Sequence, residues 1–263
     1  MIPLRDHNPT ERRPYVMWAF LAINVAVFLL WQPLADAGEP SGTFICEQAG
    51  FTRSPGGACQ QLTEGDLFAF CHGAIPYEIT KLERLPTLAE ACGEKSPLLS
   101  LLTSMFMHGG LLHIAGNMLY LWVFGNNVED RLGHGAFAAF YVLAGAAAAY
   151  AQALTDTESF IPLIGASGAI AGILGAYLVM YPHARVVTLV PIFYFLQLME
   201  LPALVVLGFW FVLQAFQGVG SLGTEVGGGV AWFAHIGGFA FGALVALLFY
   251  RRRRPQPVGP FDV

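Results

Sequence analysis

The sequence predicts an all-α, polytopic membrane protein: a bundle of six transmembrane helices with one long extracytoplasmic loop after the first. Hydrophobic residues make up 56% of the 263 residues and charged residues only 12%, whereas soluble domains are about 25% charged. Six apolar segments approach or exceed the roughly 20 helical residues that a hydrocarbon core requires. They are residues 15–32, 110–124, 135–153, 160–181, 201–217 and 231–250, the second being short unless 98–109 lead into it.

The first segment also has features of a cleavable signal peptide, which is the alternative to a permanent transmembrane helix. Arg12 and Arg13, the apolar run and the small residues at 35–37 imitate the three regions of such a peptide. The apolar run, however, is longer than the usual 7 to 15 residues. We therefore expect a permanent first helix.

The positions of Lys and Arg predict the orientation of the spans, because cytoplasmic flanks collect basic residues. If six spans alternate, nine of the thirteen basic residues fall on one side. The nine are Arg5, Arg12, Arg13, Arg131, Arg185, Arg251, Arg252, Arg253 and Arg254. The opposite short loops, 155–159 and 218–229, contain none. We therefore expect a multi-pass protein of the cell (inner) membrane, with a membrane domain at 15–250 and cytoplasmic tails at 1–14 and 251–263.

Residues 33–97 form the one long connection between predicted spans. Four basic and nine acidic residues give it a formal charge of −5, so its charge shows no sign of binding nucleic acid or anionic lipid. A helix is predicted around 80–92. Because the loop is smaller than a typical catalytic domain of about 100 to 150 residues, we expect any chemistry to lie in the membrane bundle.

All four cysteines lie in this loop: Cys46, Cys59, Cys71 and Cys92. An even number on the non-cytoplasmic side favours two disulfides in an oxidising compartment, and four cysteines allow three pairings. Free thiols are the alternative. A zinc site is disfavoured because no C-x-x-C spacing occurs.

Small residues recur four apart in the fourth and sixth spans, at Gly168 and Gly172 and at Gly238 and Gly242. Residues with this spacing share a helix face, and small side chains let two backbones approach closely. The two spans are therefore predicted to pack tightly.

The fifth span is predicted to begin near Leu201. Residues 186–197 are apolar but interrupted by Pro191, which indicates an interfacial segment, and the acidic residue and proline at 200–202 are typical of a helix start. Gln214 and Gln217 approach the outer end of this span. Polar side chains are ordinary there, so neither is assigned a catalytic role.

Two polar residues, Ser167 and His235, lie inside separate apolar runs with no Lys or Arg nearby. Polar groups at membrane depth are costly unless they serve a pathway or a reaction. A serine hydroxyl needs an adjacent base to become a nucleophile, and histidine titrates near neutrality. Ser167 lies about seven residues into the fourth span and His235 about five into the sixth, so a rise of about 1.5 Å per residue puts them at one level.

A third polar element lies at the outer end of the second span, where His113 and Asn117 are four residues apart and share a helix face. A carbonyl under attack becomes an oxyanion that needs preorganised donors, and an Asn amide is a suitable one. The two side chains and the Ser167 backbone N–H are therefore candidate oxyanion donors.

Each of these signals has an alternative interpretation. Ser167 in a Gly-Ala-Ser-Gly run is also typical of helix packing, and His113, Asn117 and His235 are also compatible with the polar pathway of a transporter or channel. No metal site is expected, because His108 and His113 are five apart and no H-E-x-x-H occurs. A hydrolase-type nucleophile elbow is not indicated, since G-x-S-x-G is missing.

In combination, four motifs resemble the rhomboid family of intramembrane serine proteases. They are residues 108–117, 129–133, 165–168 and 234–242, in this order and on these spans. The resemblance implies a six-helix rhomboid-like bundle with Ser167 as nucleophile and His235 as general base. It also implies oxyanion stabilisation by Asn117 and His113. The supporting residues are His108, Gly165 and Gly168, and Glu129 with Arg131 matches a structural pair.

The resemblance implies a serine endopeptidase that cuts single-span membrane proteins near the outer end of their transmembrane helix, in a lipid bilayer. The family uses a Ser–His dyad without metal, cofactor or catalytic Asp, and no acidic residue here is placed to orient His235. Two departures stand out: Leu99-Ser100 replaces a Trp-Arg pair before the second span, and Ala171 replaces an aromatic that packs on the catalytic histidine. The rival within the family is a non-catalytic protein that binds transmembrane clients.

Overall fold

A computed structural model describes residues 1–34, 37–45, 60–85, 88–192, 194–221 and 230–249. Within these ranges the chain forms ten helices and five short strands. The helices are α1 Tyr15–Leu30, α2 Glu64–His72, α3 Pro76–Lys81, α4 Ala89–Cys92, α5 Pro97–Ser104, α6 Leu111–Leu132, α7 His134–Ala153, α8 Ser167–Met180, α9 Ala203–Ser221 and α10 Trp232–Phe249. The strands are β1 Ile2–Asp6, β2 Pro40–Ile45, β3 Gln60–Thr63, β4 Arg185–Ile192 and β5 Phe195–Pro202. The fold is mostly helical, and the all-α prediction is corrected by these strands.

Each of the six predicted spans contains one helix, and these helices are 14 to 22 residues long. Among the described residues, α7, α9 and α10 are long and apolar enough to cross a membrane, while α1 and α8 are apolar but shorter. The helix in the second predicted span, α6, is 22 residues long and continues past the predicted end at residue 124. Its polar residues, which include His113, Asn117 and Asn127, lower its hydropathy.

The short helix α8 is the centre of the bundle: eleven of its 14 residues are buried, and it packs against α6, α7, α9 and α10. Its closest neighbour is α10, and glycines make this approach possible. A Cβ atom on Gly242 would overlap the carbonyl oxygen of Gly172, and one on Gly238 would overlap that of Gly168. The predicted close packing of the fourth and sixth spans is confirmed.

The fourth predicted span is only partly helical, because α8 begins at Ser167 and not near residue 160. Residues 160–165 lie outside any helix. Ala74 and Leu163 exchange backbone hydrogen bonds of 3.1 and 2.8 Å, and the Gly165 N–H donates to the Ser104 carbonyl over 2.8 Å. Pro162 restricts helix formation before it, and Gly165 has a φ of +125°, which is outside the helical region.

The first helix, α1, begins without a capping side chain of its own. Glu129, in the last turn of α6, accepts hydrogen bonds from the backbone N–H groups of Val16 at 2.9 Å and Met17 at 2.6 Å. The first N–H groups of a helix lack partners within it, and a carboxylate there also interacts favourably with the helix dipole. Glu129 therefore joins α1 to α6, in agreement with a structural role.

The chain between α8 and α9 forms a β-hairpin, where the sequence had predicted an interfacial segment and a helix start at 200–202. Strands β4 and β5 are antiparallel, and β1 pairs with β4 to complete a three-stranded sheet. The β-branched residues of β4 favour a strand, and α9 begins only after Pro202. Asp6 of β1 anchors the sheet to the bundle by accepting hydrogen bonds from the Tyr177 hydroxyl at 2.7 Å and the Asn127 amide at 2.8 Å.

The loop between α1 and α6 contains a small folded unit at the Ser167 end of α8. One cluster of its buried apolar residues consists of Leu62, Ile75, Leu85 and Leu88. The predicted helix at 80–92 is wrong: α3 ends at Lys81, the next residue adopts φ 57°, and α4 covers only Ala89–Cys92. The Pro at 86 disfavours a helix across this stretch.

A disulfide, an ion pair and a hydrogen bond also hold this unit together. Cys71 of α2 and Cys92 of α4 form a disulfide, whereas Cys46, Cys59 and the tail 251–263 lie outside the described residues. Lys95 and Glu78 form an ion pair of 2.5 Å with side chains only 7% and 2% exposed. Lys95 also donates to the Phe70 carbonyl at 2.7 Å. Burial lowers the pKa of Lys95, and this effect exceeds that of Glu78, which raises the pKa.

Candidate active site

A cavity of about 640 Å³ opens between α6, α8, α9, α10 and the extended segment before α8. Four of the polar residues predicted from the sequence line it: His113, Asn117, Ser167 and His235. They come from three helices separated by tens of residues in the chain. The rest of the lining is mainly apolar and includes Trp210 of α9. A mostly apolar cavity with a few convergent polar groups is the usual form of a ligand or active site.

Ser167 occupies the first position of α8 and is half-buried. Its own N–H is one of the donors that a helix start leaves without an intrahelical partner. The position two residues earlier requires glycine, because a Cβ atom on Gly165 would lie only 2.8 Å from His113 Nε2. The sequence had placed Ser167 seven residues inside a helix. The structure places it at the junction between extended chain and helix.

Two side chains of α6 face this junction. His113 Nδ1 accepts a hydrogen bond from the Gly109 N–H at 3.2 Å, so in the neutral imidazole the proton is on Nε2, the atom nearest Gly165. Asn117 is buried, and its amide donates to the His113 carbonyl at 2.9 Å. One amide N–H of Asn117 remains for another acceptor. The arrangement thus offers two side-chain donors beside the serine N–H.

His108 lies behind this pair and does not line the cavity. It is 1% exposed, and its ring contacts that of His113 edge-on with centroids 5.1 Å apart. The Gln32 side chain holds its backbone through two hydrogen bonds of 2.9 Å. These contacts support the position of His113.

His235 is buried in the first turn of α10 and lines the cavity from the opposite side. The side chain of Gln152, on α7, caps this helix by accepting from the N–H groups of Phe233 at 3.1 Å and Ala234 at 3.2 Å. His235 Nδ1 lies 2.6 Å from the side-chain oxygen of Gln214. The imidazole also contacts the Trp210 ring at a centroid distance of 5.9 Å.

Gln214 is the residue that the sequence interpretation missed. It had been placed near the outer surface without a role, yet it is only 8% exposed and bonds the predicted base. The available signal was a polar side chain inside an apolar span, the same signal that identified His235. Trp210, one helical turn earlier, contacts the His235 ring.

The structure brings Ser167 and His235 to one cavity without joining them. Within the described part of the chain, no hydrogen bond links the Ser167 hydroxyl to the imidazole. Catalytic hydrogen bonds are often long before substrate binds. The described residues also contain no group of three or more His, Cys, Asp or Glu side chains that could hold a metal ion.

Comparison with known proteins identifies the class of membrane protein to which this architecture belongs. Residues 95–252, more than half of the chain, match the family model described as the rhomboid domain. The chain belongs to the rhomboid family. The resemblance seen in the sequence motifs is confirmed, and every predicted catalytic, oxyanion-stabilising and supporting residue lies within the matched segment.

Curated rhomboid proteins from several organisms are similar to this chain. The RHOMBOID-like protein 5 of Arabidopsis thaliana is 34% identical over 38% of this chain and 32% of its own length. The rhomboid protease GluP of Bacillus subtilis is 35% identical over 49% of this chain and 24% of its own. Rhomboid protein 1, mitochondrial, of Saccharomyces cerevisiae is 28% identical over 61% of this chain and 46% of its own. The chain therefore spans about a quarter to a half of these rhomboid relatives.

Proposed function

We propose that this rhomboid protein is an intramembrane serine endopeptidase that cuts membrane proteins in or near a transmembrane helix. The observation that carries the proposal is the single cavity lined by Ser167, His235, His113 and Asn117. One hydroxyl, one imidazole base and two side-chain donors around one space are the groups that acyl transfer requires. The protease name of the Bacillus relative is consistent with this proposal.

In the proposed reaction, the Ser167 hydroxyl attacks the substrate carbonyl carbon and passes its proton to His235 Nε2. The carbonyl oxygen becomes an oxyanion that accepts hydrogen bonds from Asn117, His113 and the Ser167 N–H. When the tetrahedral intermediate collapses, the C–N bond breaks and the imidazolium returns the proton to the leaving amine. Water then attacks the serine ester with His235 as base, which releases the acid product and restores the hydroxyl.

The proposed setting is a cell (inner) membrane crossed six times, by α1, α6, α7, α8, α9 and α10, with both tails cytoplasmic. The disulfide-bonded unit would then lie outside, at the Ser167 end of α8. A helical substrate hides its carbonyls in backbone hydrogen bonds, so the segment to be cut must unwind first. The position of Ser167 after a non-helical segment supports this, because residues 161–164 line the same cavity and lie outside any helix.

One observation favours the non-catalytic alternative, a rhomboid protein that binds transmembrane clients without cutting them. Among the described residues, no hydrogen bond activates the Ser167 hydroxyl. A client-binding protein needs the apolar cavity but no proton transfer from Ser167 to His235. The two candidates therefore differ in one measurable property, the nucleophilicity of Ser167.

A fluorophosphonate probe tests this property directly, because it reacts covalently with activated serines. The purified, detergent-solubilised wild type should be labelled, and Ser167→Ala and His235→Ala should not. The variant Ser104→Ala is the matched control, since Ser104 is buried outside the cavity and its hydroxyl donates to the nearby Leu101 carbonyl, while its backbone is unchanged by the substitution. A folded wild type that is not labelled would overturn the protease proposal in favour of client binding.

A further inference from the structure

We propose that Gln214 is the positioning residue for His235: its side-chain carbonyl holds the imidazole in the tautomer that leaves Nε2 free as the base. This inference rests on the proposed protease function. Its basis is the contact between His235 Nδ1 and Gln214 Oε1 at 2.6 Å. Both residues are buried, with 9% and 8% exposure, so water does not readily replace either partner.

The chemistry of the two groups determines the direction of the hydrogen bond. A carbonyl oxygen only accepts, so the proton must be on Nδ1. A neutral imidazole has one N–H, which leaves the lone pair on Nε2. This is the nitrogen that can take the proton of the Ser167 hydroxyl. The opposite tautomer would present an N–H to the serine and could not act as a base.

The neutral side chain suits this location better than a carboxylate would. The hydrogen-bond partner of a catalytic histidine is often an Asp, which also stabilises the imidazolium. Within the described residues, no Asp or Glu contacts His235. A buried carboxylate would carry a large desolvation cost at this depth, whereas an amide orients the ring without adding a charge.

Helix α9 contacts the imidazole at two points. Trp210 and Gln214 are one turn apart on the same face, and the Trp210 ring lies 5.9 Å from that of His235 with an interplanar angle of 37°. Gln214 holds Nδ1 while the tilted Trp210 ring packs beside the imidazole. The orientation of the base thus depends on α9, although α9 supplies no reacting group.

The test compares Gln214→Met, which removes the acceptor at similar volume, with Gln214→Glu, which keeps it. Gln217→Met is the matched control, because Gln217 lies on the same helix three residues later and is exposed. The readouts are the fluorophosphonate labelling rate as a function of pH, the thermal unfolding midpoint, and the ¹⁵N chemical shifts of the His235 imidazole.

We expect Gln214→Met to label about 10- to 100-fold more slowly than wild type and its His235 shifts to report loss of the Nδ1–H tautomer. Gln214→Glu should keep most of the rate, with the acidic limb of its pH–rate profile moved to higher pH, because a carboxylate stabilises the protonated imidazole. Gln217→Met should match wild type.

Two results would overturn the positioning role while leaving the protease proposal intact. One is labelling of Gln214→Met at the wild-type rate. The other is an equal loss of rate in both Gln214 variants, together with a lower unfolding midpoint and an unchanged pH profile. That result would show that Gln214 contributes only to packing. If Gln214→Met does not fold, the pH profile of Gln214→Glu decides. A wild type without labelling would instead refute the proposed function itself.

Discussion

At the scale of single residues, the polar groups around the cavity are held by hydrogen bonds that determine which atom faces it. The Gly109 N–H donates to Nδ1 of His113, and one amide N–H of Asn117 donates to the His113 carbonyl. The side-chain oxygen of Gln214 pairs with Nδ1 of His235. In each case the atom left over can take part in acyl transfer. Preorganised donors of this kind do not have to reorient as charge develops, which makes them effective in catalysis.

Asn117→Ala should slow fluorophosphonate labelling and substrate cleavage by roughly 10² to 10³. The reason is loss of a preorganised donor to the oxyanion, while the hydrogen bond to the His113 carbonyl is a local one whose loss the helix tolerates. The measurement is the labelling rate beside the thermal unfolding midpoint. Asn126→Ala is the control on the same helix, away from the cavity. Wild-type activity in Asn117→Ala would remove this residue from the mechanism.

At this scale the sequence predicted the cavity residues but not their partners. His113 and Asn117 could be placed on one face because their spacing follows the helical repeat, and Ser167 and His235 stood out as polar residues in apolar runs. Gln214 was missed although it has the same property. Its role depends on the rotation of α9 relative to α10, which no local spacing reveals.

At the scale of elements, the site depends on how closely α8 and α10 approach. Ser167 begins α8 and His235 lies in the first turn of α10, so the distance between the two helices sets the distance between the proposed nucleophile and the proposed base. Glycines allow the backbones to touch along this contact. In a membrane, where the hydrophobic effect does not drive helix association, such close van der Waals packing is a main source of stability.

Gly242→Ala should therefore destabilise the protein by about 1 to 3 kcal/mol and slow labelling at Ser167. Its methyl group would overlap the Gly172 carbonyl, which forces α10 away from α8 and moves His235 with it. Thermal unfolding and probe labelling measure both effects. Gly208→Ala on α9 is the control, since a Cβ atom there meets nothing within 4 Å. An unchanged midpoint in Gly242→Ala would contradict the close contact.

The structure of two other elements differed from prediction for a common reason. The segment before Ser167 and the β4–β5 hairpin are both apolar, and an apolar run does not distinguish a span from extended chain that pairs with a neighbour. Leu163 pairs with Ala74, and β4 pairs with β1 of the N-terminal tail. Both pairings join segments far apart in the chain.

At the scale of the whole molecule, the two ends of the bundle carry different folded units. The disulfide-bonded unit of the first loop meets the Ser167 end of α8 through the Ala74–Leu163 pairing. The β1–β4–β5 sheet meets the other end through Tyr177 and Asp6. The basic residues that predict cytoplasmic flanks include Arg5 and Arg185, which belong to this sheet.

The proposed orientation predicts opposite accessibility for two exposed positions. Leu154, at the end of α7, is 73% exposed, and Tyr194, in the hairpin, is 98% exposed. In right-side-out membrane vesicles, an impermeant maleimide should label Leu154→Cys and should label Tyr194→Cys only after permeabilisation. The parent protein measures the background from native cysteines. The reverse pattern would contradict cytoplasmic termini.

The sequence by itself determined the family, the membrane setting and four polar residues that line the cavity. These depend on composition, on motifs and on spacing along single helices, all of which are local. Tertiary structure alone decided that α8 starts at Ser167, that β1 pairs with the hairpin, that Glu129 caps α1 and that Gln214 binds His235. Each of these features depends on which distant segments become neighbours. Two residues form such a hydrogen bond because they are close in space, and no repeat in the sequence indicates that they will be.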